Sequence, residues 1–359
     1  MHVLLVSTPI GFLGSGQGGG VEQILTNIAV ALQTRGHHVT VLAPKGSTLE
    51  RIDMLTIAGQ GQSLAQDLSR SAEITMPVSS VLAAMWDSVR QLQDQFQVVV
   101  NFAYDWLPFY LSPFLQIPVA HLVSMSSLTD AVDAAIAQTA AWQPKSLAFL
   151  TRTQAQTFPL GNLASSLPCL YSGLDLNLYR FQPEAQPHLG WVARLTPEKG
   201  LADAVQVAQQ TQRPLKIWGF MQDEAYWQAI QAQYPDAPVE YAGFLETQDL
   251  QAALGACSAL LMTPHWVEAM GNVALEALAC GVPVIAYKRG GPAEVVQDGE
   301  TGWLVEPDDI SGLIAAVAKI DRLDRQKCRQ VAESLYSVEA MGDRVEQWLT
   351  QVIEARAAH

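Results

Sequence analysis

Two carboxylates, Glu268 and Glu276, stand eight residues apart in the stretch from Val267 to Val284. The second falls among Ala274, Leu275, Ala277 and Leu278, in a run that reads as a helix opening near Gly271. A carboxylate at the mouth of a helix can accept hydrogen bonds from sugar hydroxyls. One placed two turns in can grip a vicinal diol such as ribose. Between them the backbone of Ala269, Met270, Gly271 and Asn272 offers the free N–H groups of a first helical turn, which suit a diphosphate. Spacing alone would leave Glu276 an ordinary surface residue. Its apolar flanks argue otherwise, because an unpaired carboxylate is costly on a covered face.

A second group of residues has complementary charge. In Gly190-Trp191-Val192-Ala193-Arg194-Leu195-Thr196-Pro197-Glu198-Lys199-Gly200 an arginine and a lysine flank a proline turn that follows a strand. Both can converge on one diphosphate, the arginine as a planar fork and the lysine as a point charge; the plainer alternative is a surface ion pair with Glu198. Near the N-terminus, Gly11 to Gly20 holds six glycines in ten residues. Glycines let a ligand approach backbone amides closely, but the run lacks a strict G-x-G-x-x-G and no P-loop lysine follows. The segment Asn101-Phe102-Ala103-Tyr104-Asp105-Trp106-Leu107-Pro108-Phe109-Tyr110 follows a short apolar run and sets one acid among aromatics. Asn101, Tyr104, Asp105 and Trp106 could stack a flat ring and accept its N–H groups; an aromatic cluster packing two loops is the equally simple reading.

Alternating strands and helices must position these residues. Val3–Ser7, His38–Leu42, Val98–Val100, Val119–Val123 and Leu147–Leu150 read as buried parallel strands. Between the first two, Ile24, Ile28, Ala31 and Leu32 line one face of a helix that Gly36 ends. A second series runs through Leu189–Val192, Leu215–Trp218, Val239–Tyr241, Ala259–Met262 and Val282–Ala286. Both series spell α/β domains with doubly wound parallel sheets. The polar, proline-bearing stretch 172–187 separates them. The expected division is 1–172, joined by a last helix within 338–359, and 173–337.

With 359 residues, two domains are the natural expectation. Hydrophobic residues at 49% and charged residues at 16% exclude a disordered chain. A formal net charge of −14 excludes binding to nucleic acid or anionic membranes by bulk charge, so any anionic ligand needs a local positive cluster. The four cysteines form no C-x-x-C pair, which points to neither a zinc site nor a disulfide framework. No signal-peptide pattern and no apolar run of membrane-spanning length stands in the sequence, and a cytoplasmic protein is expected.

The stretch from Glu268 to Val284 resembles the family 4 retaining glycosyltransferases of the GT-B fold. Their E-x7-E motif matches Glu268 and Glu276, and its continuation A-x-G-x-P-V matches Ala279, Gly281, Pro283 and Val284. The family's G-R-L-x-x-x-K-G is similar to the segment holding Arg194 and Lys199, and its R-x-G-G-x-x-E to Arg289-Gly290-Gly291-Pro292-Ala293-Glu294. The resemblance implies two Rossmann-like domains facing across a cleft, the first binding the acceptor and the second the nucleotide-sugar donor. It implies that Glu268 contacts the donor sugar, that Glu276 holds the ribose diol, and that Arg194 and Lys199 hold the diphosphate and stabilise the departing nucleotide. Gly19 and Gly20 fit the glycine pair that faces the donor phosphate. Many relatives carry a histidine after the strand that begins Pro-Val; here Pro118-Val119 places Ser124 at that position and His121 three residues earlier. His121 and Asp105 are therefore both carried as catalytic candidates.

Ser7-Thr8-Pro9, Gly14-Ser15-Gly16 with Gly18 to Glu22, and Asn101 to Tyr110 also resemble the cyanobacterial pterin glucosyltransferases. That likeness implies UDP-glucose as donor and a reduced pterin such as tetrahydrobiopterin as acceptor. No D-x-D ends a strand, so no metal and no cofactor are expected, and leaving-group charge falls to Arg194, Lys199 and helix N–H groups. Rival readings are a nucleotide-sugar epimerase of GT-B architecture, a transferase acting on a lipid or saccharide acceptor, a dinucleotide oxidoreductase and a non-catalytic sugar-nucleotide binder. Product analysis without an acceptor separates the epimerase from the transferase.

Overall fold

The structure is a computed structural model that describes residues 1–14 and 19–357. The chain divides into two compact units: Met1–Gly173 with the segment from Val338 onward, and Leu174–Ser337.

The first unit holds strands β1 (His2–Val6), β2 (His38–Pro44), β3 (Asp53–Ile57), β4 (Val98–Asn101), β5 (Val119–Val123) and β6 (Leu147–Phe149). Its helices are α1 (Gly19–Thr34), α2 (Val81–Leu92), α3 (Trp106–Leu111), α4 (Asp130–Trp142) and α5 (Arg152–Ala155). The second unit holds β7 (Leu189–Val192), β8 (Leu215–Trp218), β9 (Val239–Tyr241), β10 (Ala259–Met262), β11 (Val284–Tyr287) and β12 (Gly302–Val305). Its helices are α6 (Leu201–Thr211), α7 (Glu224–Gln233), α8 (Thr247–Gly255), α9 (Asn272–Ala279), α10 (Pro292–Val295), α11 (Ile310–Val317) and α12 (Arg325–Leu335). The last helix, α13 (Val338–Ala357), belongs to the first unit.

Among the described residues each unit carries one six-stranded sheet, in the orders β3-β2-β1-β4-β5-β6 and β12-β11-β10-β7-β8-β9. The pairs between these strands are parallel. Apolar runs explain the centre of each sheet. Val3 to Val6, Val98 to Asn101 and Val119 to Val123 are buried throughout, as strands covered on both faces must be. Helices supply the cover: α2, capped by Ser80, buries Val81, Leu82, Met85, Trp86 and Val89, and α6 buries Leu201, Ala204, Val205, Val207 and Ala208. Helix α13 buries Met341, Val345, Trp348 and Leu349, and the Trp348 indole donates to the Lys145 carbonyl at 3.0 Å.

The strand order of each sheet reverses once, between β1 and β4 and between β7 and β10. In open parallel sheets ligands bind beyond the carboxyl ends of the strands at such a reversal. The chain leaves β7 into Ala193–Gly200 and leaves β10 into Thr263–Gly271, so the charged residues singled out in the sequence lie on the two segments flanking that point.

The doubly wound parallel reading is borne out in both units. Three details differ from it. Strands β3 and β12 carry no long apolar run; they lie at sheet edges, where the pattern of exposure is mixed and the burial signal weak. Strand β11 starts at Val284 rather than Val282, because Pro283 has no N–H to donate to the ladder; its carbonyl still accepts from Leu260 N–H at 2.9 Å. No helix among the described residues is long and apolar enough to cross a membrane.

Candidate active site

The turn after β7 is built by a close backbone approach. Gly200 sits at φ +69°, and its carbonyl accepts from the Thr263 hydroxyl at 2.7 Å. A Cβ there would stand 1.7 Å from the Thr263 carbonyl oxygen, so no larger residue fits beside the strand. The His265 N–H donates to the Glu198 carbonyl at 2.8 Å, a second tie between the segments leaving β7 and β10.

Those ties bring Lys199 to Glu268. The Lys199 Nζ lies 2.6 Å from Glu268 Oε1, with side chains only 14% and 16% exposed, and 4.5 Å from the centre of the Trp266 ring. Arg194 is more open, at 37%; its Nη1 donates to Gln222 Oε1 at 2.7 Å, and its Nη2 lies 3.7 Å from Glu198. Glu198 in turn accepts from the Thr196 hydroxyl at 2.7 Å.

Glu268 is itself held from behind. Gly291 N–H donates to its carbonyl at 2.7 Å, and Gly290, at φ +68°, presses so closely that a Cβ would meet the Glu268 backbone at 2.6 Å. The Gly290-Gly291 pair thus shapes the Glu268 loop. Gly271 opens α9 in the left-handed region, and Asn272 begins the helix with its Oδ1 buried and without a partner among the described residues. The free N–H groups of that turn lie between Glu268 and Glu276 in the chain, as the spacing requires.

Glu276, partly buried in the second turn of α9, has an unusual environment for a carboxylate. Burial pushes its carboxyl up to about 7, against the opposing effect of the Tyr179 hydroxyl, which donates at 3.4 Å. The folded unit therefore holds a proton that the unfolded chain has released at the ordinary carboxyl value. Stability falls as pH rises between those two values and stays lower above about 7. Glu276→Gln is expected to raise the urea midpoint of the second unit at pH 8 and leave it nearly unchanged at pH 4. Unfolding followed by tryptophan fluorescence measures this, and equal midpoints at pH 8 would contradict it.

On the first unit the candidates separate. Asn101 and His121 are fully buried. Asn101 accepts from Ala103 N–H and donates to the Ala103 carbonyl, while His121 lies 3.2 Å from Asn101 Nδ2 and 2.8 Å from the Ser112 hydroxyl. The His121 ring stacks on Phe109 at 4.4 Å, and burial lowers its pKa to about 3. Both residues form a neutral polar pair inside the sheet, because register sets Asn101 beside His121 in the interior. Tyr104, Asp105 and Trp106 are partly exposed beyond the end of β4. Asp105 caps α3 through Leu107 N–H at 3.1 Å, and burial raises its pKa, opposed by that bond and by the Gln62 side chain. Trp106 stacks on Tyr110 at 4.3 Å. Tyr104 accepts from Leu128 N–H at 2.9 Å and lies 3.5 Å from the buried Asp133, which pairs with Arg70 at 2.7 Å. Gly19 and Gly20 open α1, and residues 15–18 of the glycine run lie outside the described residues.

Several neighbours carried no signal of their own. Gln62, Arg70, Asp133 and Gln222 reach their partners from distant parts of the chain. Trp266 stands two residues before Glu268, where its spacing could have marked it as cover for a nearby cation.

Residues 180–338 match the family model described as glycosyl transferases group 1. That segment contains Arg194, Lys199, Glu268 and Glu276. Glycogen synthase of Mycobacterium tuberculosis is 25% identical over 342 residues, covering 84% of this chain and 82% of that protein. N-acetyl-alpha-D-glucosaminyl L-malate synthase of Bacillus anthracis is 41% identical over 96 residues, 26% of this chain and 25% of its own. Among solved structures, Anabaena HepE in complex with UDP superposes with a TM-score of 0.78 at 19% identity, covering 98% of this chain and 100% of that one. Sucrose-phosphate synthase from Thermosynechococcus elongatus superposes with a TM-score of 0.72 at 18% identity, covering 99% and 100%. At these identities the superpositions speak for the fold.

Proposed function

We propose, from the match of the second unit to the group 1 glycosyl transferases, that the chain is a retaining, metal-independent hexosyltransferase using UDP-glucose. The Lys199–Glu268 pair, on the segments leaving β7 and β10, carries this reading. A largely buried lysine, its ammonium covered by an indole and anchored by one carboxylate, is a ready counter-charge for a pyrophosphate. Arg194 and the α9 N–H groups add to it. Donor binding would draw Lys199 toward the phosphates and free Glu268 for the sugar hydroxyls. Glu276 would accept from the ribose diol. In that role it must be ionised, so UDP-glucose affinity should rise with pH through about 7.

The acceptor reading rests on Asp105 beside Tyr104 and Trp106: a flat, hydrogen-bond-donating ring such as a reduced pterin suits an acid among aromatics. Catalysis is then positioning and electrostatic stabilisation of the leaving diphosphate, with a donor phosphate oxygen taking the acceptor proton.

The test is incubation of the full chain with UDP-glucose and tetrahydrobiopterin, with and without EDTA. Expected are UDP release, an α-linked glucoside by NMR and no effect of the chelator. Failure of UDP-glucose to bind in calorimetry would remove the donor reading. Binding without transfer to the pterin would remove the acceptor reading alone.

A further inference from the structure

One buried polar atom beside the proposed acceptor residues has no use in the chemistry above. Gln62 lies on the segment between β3 and α2, and its side chain bonds the Asp105 carboxyl. A carboxylate only accepts, so the amide nitrogen is the end that Asp105 holds. The other end is thereby fixed: Gln62 Oε1, an amide's width from that carboxyl, is buried and has no partner among the described residues. Turning the amide over would set oxygen against oxygen and bury an unpaired NH₂ instead. Buried polar side-chain atoms mostly have a partner, and an unpaired one costs stability.

The segment that carries Gln62 is fastened where it would meet a ligand. At its base Gln60 N–H donates to the Ser79 carbonyl at 2.7 Å and Val81 N–H to the Gln60 carbonyl at 3.0 Å, which closes 60–80 into a loop. Gly61 passes so near the residues leaving β1 that a Cβ would stand 2.9 Å from the Pro9 carbonyl oxygen. Farther on, Arg70 is latched beyond β5. Its carbonyl accepts from Asp130 N–H at 2.9 Å, its Nε lies 3.0 Å from Asp130, and its Nη2 lies 2.7 Å from the buried Asp133. Asp133 also accepts from the Ser127 hydroxyl at 2.6 Å. With Gln62 on Asp105 beyond β4, the loop touches the exits of β1, β4 and β5. It thus spans the point where the strand order of this sheet reverses.

We infer that Gln62 is a further acceptor-recognition residue, whose amide carbonyl, oriented by Asp105, takes an N–H of the acceptor ring next to those that Asp105 takes. The inference rests on the acceptor reading above and narrows it to one edge of the ring. In a pterin the 2-amino group and the neighbouring ring N–H share an edge. A carboxylate can take that ring N–H and one amino hydrogen together. The second amino hydrogen then falls to Gln62. A ring with a carbonyl in place of the amine would leave Gln62 Oε1 unpaired and facing another oxygen, and a site built for an N–H rejects such a ring.

The test is initial-rate measurement of UDP release above the acceptor-free rate, by the full chain and by Gln62→Met, with UDP-glucose saturating. Tetrahydrobiopterin is compared with its 2-oxo analogue, in which a carbonyl replaces the amine. Gln62→Met keeps the length of the side chain and removes the amide. Its KM for tetrahydrobiopterin is expected to rise about fivefold. Its KM for the analogue should be no higher than the parent's, so the preference for the amine-bearing ring shrinks by that factor. The analogue also reports that the acceptor site is still folded. A parent indifferent to the two rings, an unchanged KM for tetrahydrobiopterin in Gln62→Met, or a rise shared equally by both rings would overturn the inference. The last result would reduce Gln62 to a support for Asp105. If the parent transfers glucose to neither ring, the acceptor reading itself fails and takes this inference with it.

Discussion

Gly200→Ala is expected to destabilise the second unit by about 3 kcal/mol or more. Two costs add. A left-handed backbone costs a residue bearing a Cβ about 1 kcal/mol relative to glycine. The new Cβ would also stand 1.7 Å from the Thr263 carbonyl oxygen, a main-chain atom tied back to Gly200 through the Thr263 hydroxyl. Relief requires the segments leaving β7 and β10 to part. The matched control is Gly243→Ala: φ is +80°, but nothing lies within 4 Å of the added atom. It should lose only the backbone share, about 1 kcal/mol. Urea unfolding of both variants, followed by tryptophan fluorescence, gives the comparison. Equal losses would mean that the contact yields freely and the turn is not the rigid junction described.

Lys199→Ala should raise the dissociation constant for UDP-glucose about thirtyfold, about 2 kcal/mol. The side chain is only 14% exposed, so water screens its charge poorly, and its removal leaves Glu268 as an unbalanced negative charge beside the incoming pyrophosphate. Arg194→Ala should cost less, about fivefold, since this guanidinium is 37% exposed and already shared with Gln222 and Glu198. Calorimetry on the two variants decides it. If Lys199→Ala binds as the parent does, the anion-binding reading of this turn is wrong. The reverse order of effects would move the main counter-charge to Arg194.

Much of the fold was legible because buried parallel strands are written as continuous apolar runs. Leu189–Val192, Leu215–Trp218, Val239–Tyr241 and Ala259–Met262 stand in the structure at the bounds their sequence suggests. Two of the edge strands, β3 and β12, were not; in β3, residues such as Asp53 and Thr56 answer to solvent on one side. In the site, what lies within a few residues could be read: Glu268 before α9, Glu276 inside it, Lys199 in a turn after a strand. What depends on tertiary approach could not. Nothing near Lys199 in sequence names Glu268 as its partner, and nothing near Gln62 names Asp105. His121 shows a different dependence: it lies in the middle of β5, and register and burial set it inside the sheet, which no local pattern displays. Asp105 escapes that fate by lying four residues farther along than Asn101, past the sheet, where it caps α3.

The return of α13 to the first unit has a consequence for biosynthesis. Trp348, Leu349 and Met341 complete a core whose other residues emerge from the ribosome more than a hundred residues earlier. During translation the first unit must wait, with the surface that α1 offers to α13 uncovered, until the whole second unit has been made. The nascent first half is thus the aggregation-prone stage, and chaperone demand should concentrate there. Shortening the chain at its carboxyl end would damage the unit that was synthesised first.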